Sequence, residues 1–200
     1  MKDVYLSKLR DKKTSLPEFR IAALELADLL AAEATARVPS KRAIIETPLS
    51  SAEGATAQGR VVLVAILRSG LVLLPAFIKL FPDAPIGFFG IRRDEKTAEP
   101  HLYYENIPEL APNDHLFLLD PMIATGGSSL LALEKLWPHL SPNQITLVGV
   151  ISATPGIEKI KKRFPVLRII VAAEDPELNA SSYIVPGLGD FGDRFFGTNP

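Results

Sequence analysis

Two hundred residues, 47% of them hydrophobic and 22% charged, describe an ordinary globular chain long enough to bury a real core. The net charge of −1 argues against a nucleic-acid or anionic-membrane binder, and the lack of cysteine excludes disulfides, iron–sulfur clusters and thiolate zinc sites. The three histidines, His101, His115 and His139, show no metal-ligand spacing.

In chain order, MKDVYLSKLRDKK has no apolar stretch of the secretory kind, so the chain is expected to be cytoplasmic. Residues 17–37 carry Leu24, Leu26, Ala27, Leu30 and Ala31 at helical spacing, with Pro17 suited to a first turn. A candidate strand at 42–46 precedes a polar loop, TPLSSAEGATAQG. VVLVAIL (61–67) is a continuous β-branched run, the pattern of a strand buried on both faces. The run to residue 81 is membrane-like in composition, but Arg68, Ser69, Gly70, Pro75 and Lys79 interrupt it; a strand, a turn and a helix at about 70–80 fit better. Strands follow at 86–91, 115–120, 144–151 and 166–173, with helices at 128–137 and 155–163. Residues 92–114 lack apolar periodicity and form a long loop of the functional or flexible kind. Strands alternating with helices indicate an α/β domain with a mostly parallel sheet. The tail from 175 to 200, rich in glycine, proline and aromatics, has no room for another full βα unit and is expected to fold as a hood over the site.

Ligands of open parallel sheets bind at the carboxyl ends of strands. Three such tips are chemically loaded: LRSG (67–70), GIRRDE (90–95) and DPMIATGGS (120–128). In the last, an apolar strand ends on Asp120. Pro121, Met122, Ile123 and Ala124 lead to Thr125, Gly126, Gly127 and Ser128 at a helix start. Two glycines, two hydroxyls and uncommitted N–H groups make a phosphate cradle; the alternative is an ordinary capped helix. The loop is not a Walker A motif, because no lysine follows the glycines at the required spacing. A carboxylate beside a phosphate cradle suits hydroxyl groups or a bound cation, and phosphate with sugar hydroxyls describes a ribose 5-phosphate. Arg68 and Arg93 at strand tips would suit a second anion such as pyrophosphate, although surface ion pairing or a solvated charge run with Arg92 also accounts for them. GLGDFG (187–192) matches G-x-G-x-x-G in letters alone, since only eight residues follow it.

With these motifs in order, the chain resembles the uracil phosphoribosyltransferases over nearly its whole length, from LRDKKTS (9–15) onward. DPMIATGGS resembles that family's phosphoribosyl pyrophosphate loop, ILRSG its ILRAG, GIRRDEKTAEPHLYY its flap, and YIVPGLGDFGDRFFGT its uracil-binding tail. Ser69 stands where that motif has alanine, LAAEAT lacks a tyrosine common before EAT, and the segment before LRD is short. The resemblance implies a type I phosphoribosyltransferase fold over 1–200, with a flexible flap at about 92–114 and a hood at about 175–200. It implies transfer of the phosphoribosyl group to uracil with Mg²⁺ present, giving UMP and pyrophosphate. Asp120, Arg68 and Asp190 would be catalytic. Phosphoribosyl pyrophosphate would be bound by Arg68, Arg93, Asp120, Asp190 and the loop 121–128, and uracil by Ile184, Gly189, Asp190 and Phe191. No direct metal ligand is assigned. A homo-oligomer is expected, with GTP an activator in some relatives. Three rivals are an RNA-binding regulator of the same fold, a non-catalytic paralogue and a transferase for another base. Net charge argues against the first, the presence of Asp120, Thr125, Arg68 and Asp190 against the second, and the tail against the third.

Overall fold

The computed structural model describes residues 1–36, 38–94 and 99–198. Its first half contains α1 (Lys2–Arg10), α2 (Leu16–Thr35), β1 (Ser40–Glu46), β2 (Ser51–Ala57), β3 (Val61–Leu67), α3 (Leu74–Leu80), β4 (Ile86–Arg93) and β5 (Pro100–Asn106). The second half contains β6 (His115–Leu119), β7 (Met122–Ile123), α4 (Gly127–Leu136), β8 (Ile145–Val148), β9 (Ile151–Ala153) and α5 (Thr154–Arg163). It continues through β10 (Arg168–Ile170), β11 (Ala173–Asp175), β12 (Glu177–Leu178), β13 (Ile184–Val185) and α6 (Phe191–Phe196).

The β-branched run of β3 occupies the middle of a six-stranded sheet ordered β10-β8-β6-β3-β4-β5. All neighbours are parallel except β5, which runs antiparallel to β4. Val61, Leu63 and Ala65 face one core with α2 and α3, while Val62, Val64 and Ile66 face another with α4 and α5. Burial on both faces is what removes the polar half of the strand's alternation. On α2 the buried positions Phe19, Ala22, Ala23, Leu26, Ala27, Leu30, Ala31 and Ala34 follow alternating steps of three and one, and most are alanine. Small side chains there let the helix approach the sheet closely. Its start is fixed by Glu18, whose carboxylate accepts from the Ser15 N–H at 3.1 Å and the Ser15 hydroxyl at 2.6 Å.

Five segments differ from the sequence reading. The expected polar loop after β1 holds a strand, because β2 pairs antiparallel with β1 from Ser40↔Ala57 to Glu46↔Ser51 around a Thr47–Ser50 turn. Weakly β-prone residues such as Gly54 and Ala55 are strand only through that partner. The strand expected at 144–151 is two, β8 and β9, and that at 166–173 overlaps two more, β10 and β11. Their breaks fall beside the break between β6 and β7. Here the Pro121 carbonyl accepts from the N–H groups of both Val150 and Ile151, at 2.9 and 3.0 Å, and Val150 accepts from Ala172 at 3.1 Å. Proline cannot donate, so the pairing shifts in three neighbouring strands at once. The long loop expected over 92–114 contains β5, paired with β4 from Phe88↔Asn106 to Arg93↔Pro100 and closed by the Asp94 N–H on the Glu99 carbonyl at 2.9 Å. Residues 95–98 of that expected flap lie outside the described residues. The fifth segment is α1, a helix that no periodicity announced; it packs Leu6 and Leu9 inward near α2. Among the described residues no helix is long and apolar enough to cross a membrane.

Candidate active site

The shared break in the sheet places Asp120. The strand β6 ends at Leu119, and the Asp120 N–H still pairs with the Val148 carbonyl at 3.0 Å, so the side chain leaves the sheet where β6 stops. It is 6% exposed. The Ser129 hydroxyl donates to Asp120 Oδ2 at 2.7 Å. Burial pushes the Asp120 carboxyl above its ordinary pKa, opposed by the Ser129 hydroxyl, the Met122 N–H and the positive charge of Arg93.

Residues 124–128 then turn into α4. Gly126 adopts φ +72°, and a Cβ there would lie 2.7 Å from the Gly156 carbonyl oxygen. Gly156, in turn, would drive a Cβ to 2.2 Å from the Ala124 carbonyl oxygen. Two glycines on different elements therefore let the loop lie against the first turn of α5. The N-cap of α4, Gly126, has no side chain to cap with; the Gly127 N–H makes only a long 3.4 Å bond to the Thr125 hydroxyl, and the first helical bond runs from the Leu130 N–H to the Gly126 carbonyl at 2.9 Å. The N–H groups of 127–129 precede that bond at the positive end of a ten-residue helix. Such an arrangement attracts an anion.

An open cleft runs over this loop. Asp120, Met122, Ala124, Thr125, Gly126, Gly127 and Ser128 line it, with Arg93 from the end of β4 and Asp190 and Gly192 from the tail. Pro121 and Ile123 do not line it; Ile123 is buried in the core against α4 and α5. Arg68 points elsewhere: its guanidinium sits 3.7 Å from Asp193 and over the Phe196 ring, against α6. Asp190 caps α6, accepting from the Asp193 N–H at 2.8 Å. The side chains of Ile184 and Phe191 are buried in the core, Phe191 edge-on to Phe19 at 5.5 Å, so only their backbones can meet a ligand. Gly189 has φ +80° and room for a Cβ, so it is the backbone conformation that calls for glycine there.

Three contributors escaped the sequence reading. Ser129 carried a usable signal: with Ala132, Leu133 and Leu136 it completes the buried i, i+3, i+4, i+7 stripe of α4, a lone hydroxyl on an apolar face. Ser69 and Gly192 meet across the cleft, where a Cβ on Gly192 would stand 3.8 Å from the Ser69 Cβ; only the tertiary fold brings them together. Among the described residues no group of three or more His, Asp or Glu side chains could hold a metal ion. The cleft thus offers an anion cradle, a buried carboxylate beside it, and further charges of both signs at its walls.

The family model for uracil phosphoribosyltransferase matches residues 3–198. The uracil phosphoribosyltransferase of Dictyoglomus turgidum is 42% identical over 194 residues, covering 96% of this chain and 93% of its own. Among solved structures, the AQ2163 protein of Aquifex aeolicus superposes with a TM-score of 0.91 at 34% identity, covering 99% of this chain and 95% of its own. A purine phosphoribosyltransferase from Pyrococcus horikoshii shares the fold alone, with a TM-score of 0.52 at 12% identity over 78% of this chain and 84% of its own.

Proposed function

The chain belongs to the uracil phosphoribosyltransferase family, and from that premise we propose how its cleft moves a 5-phosphoribosyl group from phosphoribosyl pyrophosphate to uracil, giving UMP and pyrophosphate. The carrying observation is the buried Asp120 held beside the glycine N-cap of α4. The 5′-phosphate sits in the loop 124–128, where N–H groups of the first turn, which make no helical bond, and the hydroxyls of Thr125 and Ser128 meet its oxygens. Asp120 accepts hydrogen bonds from the ribose hydroxyls. Its charge favours the cation that develops at the sugar carbon as pyrophosphate departs, an interaction stronger in the transition state than in the ground state.

Arg93 stands at the rim for the departing pyrophosphate. Arg68 reaches the same anion by leaving its long, 3.7 Å contact with Asp193. The donor set fits Mg²⁺ carried mainly by substrate phosphates, with Asp190 the cleft-wall carboxylate that would add an oxygen ligand. When bound, the ion neutralises charge on the pyrophosphate. Uracil presents two carbonyl acceptors and an N–H between them, which backbone groups at Ile184, Gly189 and Phe191 complement. The hairpin β4–β5 closes as a flap over the cleft, and the tail from 175 forms the hood. The same reading includes a homo-oligomer, for which the exposed Ile44, Ile45 and Leu49 of the β1–β2 hairpin supply apolar surface; sedimentation tests it.

The deciding assay measures product from phosphoribosyl pyrophosphate with uracil, cytosine, hypoxanthine and adenine in parallel. Cytosine reverses two of the hydrogen-bonding groups of uracil, and each unpaired buried group costs about 1–3 kcal/mol. Uracil should therefore be preferred over cytosine by roughly a hundredfold or more. Comparable turnover of the two bases would sink the backbone-readout account.

A further inference from the structure

We propose that Arg10 and Asp175 act as a positioning clamp for the uracil-reading turn, so that the end of α1 sets base affinity and base choice. The inference rests on the reading of the tail as the uracil wall. It assigns a purpose to the LRD stretch, which the reaction scheme leaves unused.

The geometry is a closed set of four bonds. Arg10, the last residue of α1, donates from Nη1 to Asp175 Oδ2 at 2.7 Å and from Nη2 to Asp175 Oδ1 at 2.6 Å. Its Nη1 also donates to the Gly187 carbonyl at 2.9 Å. The Gly187 N–H donates back to Asp175 Oδ2 at 2.8 Å. Both backbone groups of one residue are thereby held by one ion pair, and that residue lies two positions before Gly189. Asp175 is the last residue of β11, so the anchor belongs to the sheet and not to a loop. Arg194 fixes the next link: it donates to the Leu188 carbonyl at 2.7 Å, and to the carbonyls of Leu9 and, at 2.7 Å, Asp11 around the end of α1.

Between 187 and 190 the chain passes from this clamp to the Asp190 cap of α6 in a few residues, with φ positive at Gly187 and Gly189. A short segment pinned at one end by this part-buried pair and at the other by the Asp190 cap has little freedom to re-aim its peptide groups. A pocket that reads a base through backbone groups discriminates only if those groups stay fixed. Arginine is required because three donors in one plane engage two carboxylate oxygens and a carbonyl, which a lysine ammonium cannot span together.

The test is steady-state kinetics of Arg10→Lys and Asp175→Asn beside the unmodified protein, with Michaelis constants for both substrates and the uracil-to-cytosine ratio of kcat/KM. The clamp predicts that uracil KM rises about tenfold or more, that the base ratio falls, and that the phosphoribosyl pyrophosphate KM stays within about twofold. Michaelis constants do not depend on the folded fraction, so a variant that folds poorly still reports. Arg10→Lys keeps the charge and loses only the fork. A fall in Tm or apparent kcat with both KM values and the base ratio unchanged makes the pair ordinary scaffold and overturns the clamp. An equal rise in both KM values overturns it too. If the unmodified protein forms no UMP, the uracil reading fails and takes the clamp with it. UMP formation by the unmodified protein with an unaltered uracil KM in both variants removes the clamp alone.

Discussion

Asp120 is held against its own solvation. Burial raises its pKa, so ionising it costs folded-state stability, while the chemistry needs the negative charge. The sign follows: a carboxyl whose folded pKa is raised loses stability as pH climbs from the unfolded value to the folded one, and contributes nothing below both. Asp120→Asn should therefore lower kcat by about a hundredfold or more while leaving uracil KM nearly unchanged. The same variant should melt above the unmodified protein at pH 7, with the difference vanishing near pH 3. A kcat close to normal would make Asp120 a mere strand terminus. Ser129 works in the opposite direction, since its hydroxyl favours the ionised form. Ser129→Ala should move the acid limb of the kcat profile to higher pH, and an unmoved limb would show that the hydroxyl only fills space.

At the scale of elements, the phosphate loop depends on α5 as much as on α4. A methyl at Gly126 has two objections, a left-handed φ and a carbonyl at 2.7 Å. The backbone term alone is about 1–2 kcal/mol. Gly126→Ala should lower stability by at least that amount and weaken phosphoribosyl pyrophosphate binding more than uracil binding. Gly127, where a Cβ would meet only ordinary contacts at 3.5 Å, should tolerate alanine far better, and melting curves of the two variants check the contrast. The hairpin β4–β5 is the second element with a testable part. Most of β5 is exposed, and it is the edge strand of the sheet, paired antiparallel to β4. Hydrogen exchange over 100–106 should slow when phosphoribosyl pyrophosphate is added; identical protection with and without it would mean a rigid ornament of the sheet edge.

Across the whole molecule, two bidentate arginine–carboxylate pairs among the described residues join parts far apart in the chain. Arg60 holds Asp114 at 2.6 Å between the starts of β3 and β6, and Arg10 holds Asp175 between α1 and the end of β11. In each, the guanidinium hydrogen bond pulls the aspartate below its ordinary pKa. Depressed carboxylates contribute stability above the unfolded aspartate pKa of about 3.9, and the contribution is lost as pH falls through the folded value. The Tm should hold near neutrality and drop steeply below about pH 4. Asp114→Asn should lower the neutral Tm and flatten that acid drop, and an unchanged acid slope would show that Asp114 is not one of the titrating groups. Candidate-site chemistry was unevenly legible beforehand. Loop 120–128 spells out its own turn, whereas Ser69 and Gly192 show no tie to each other until the fold brings them together across the cleft.

What the sequence by itself determined is whatever depends on neighbours in the chain. The β-branched run of β3 announces a strand buried on both faces. The helical spacing of Leu26, Ala27, Leu30 and Ala31 announces α2, although Leu24, read with them, lies exposed, and Asp120 through Ser128 announce a strand end, a turn and a helix start. These follow from local sterics and from hydrophobic period, which are short-range. Tertiary structure alone decided the rest. The strandhood of β2 and β5 comes from partners, because Gly54 or Glu105 has no strand preference that a single segment could reveal. The common break near 120, 149 and 171 needs three strands side by side before Pro121 can disturb its neighbours. Arg68 reads as a cleft residue from its place at a strand tip, yet a carboxylate 125 residues away turns it toward α6. The pairing of Arg10 with Asp175, 165 residues apart, is likewise invisible in one dimension, since a charge in sequence carries no record of which opposite charge the fold will set against it.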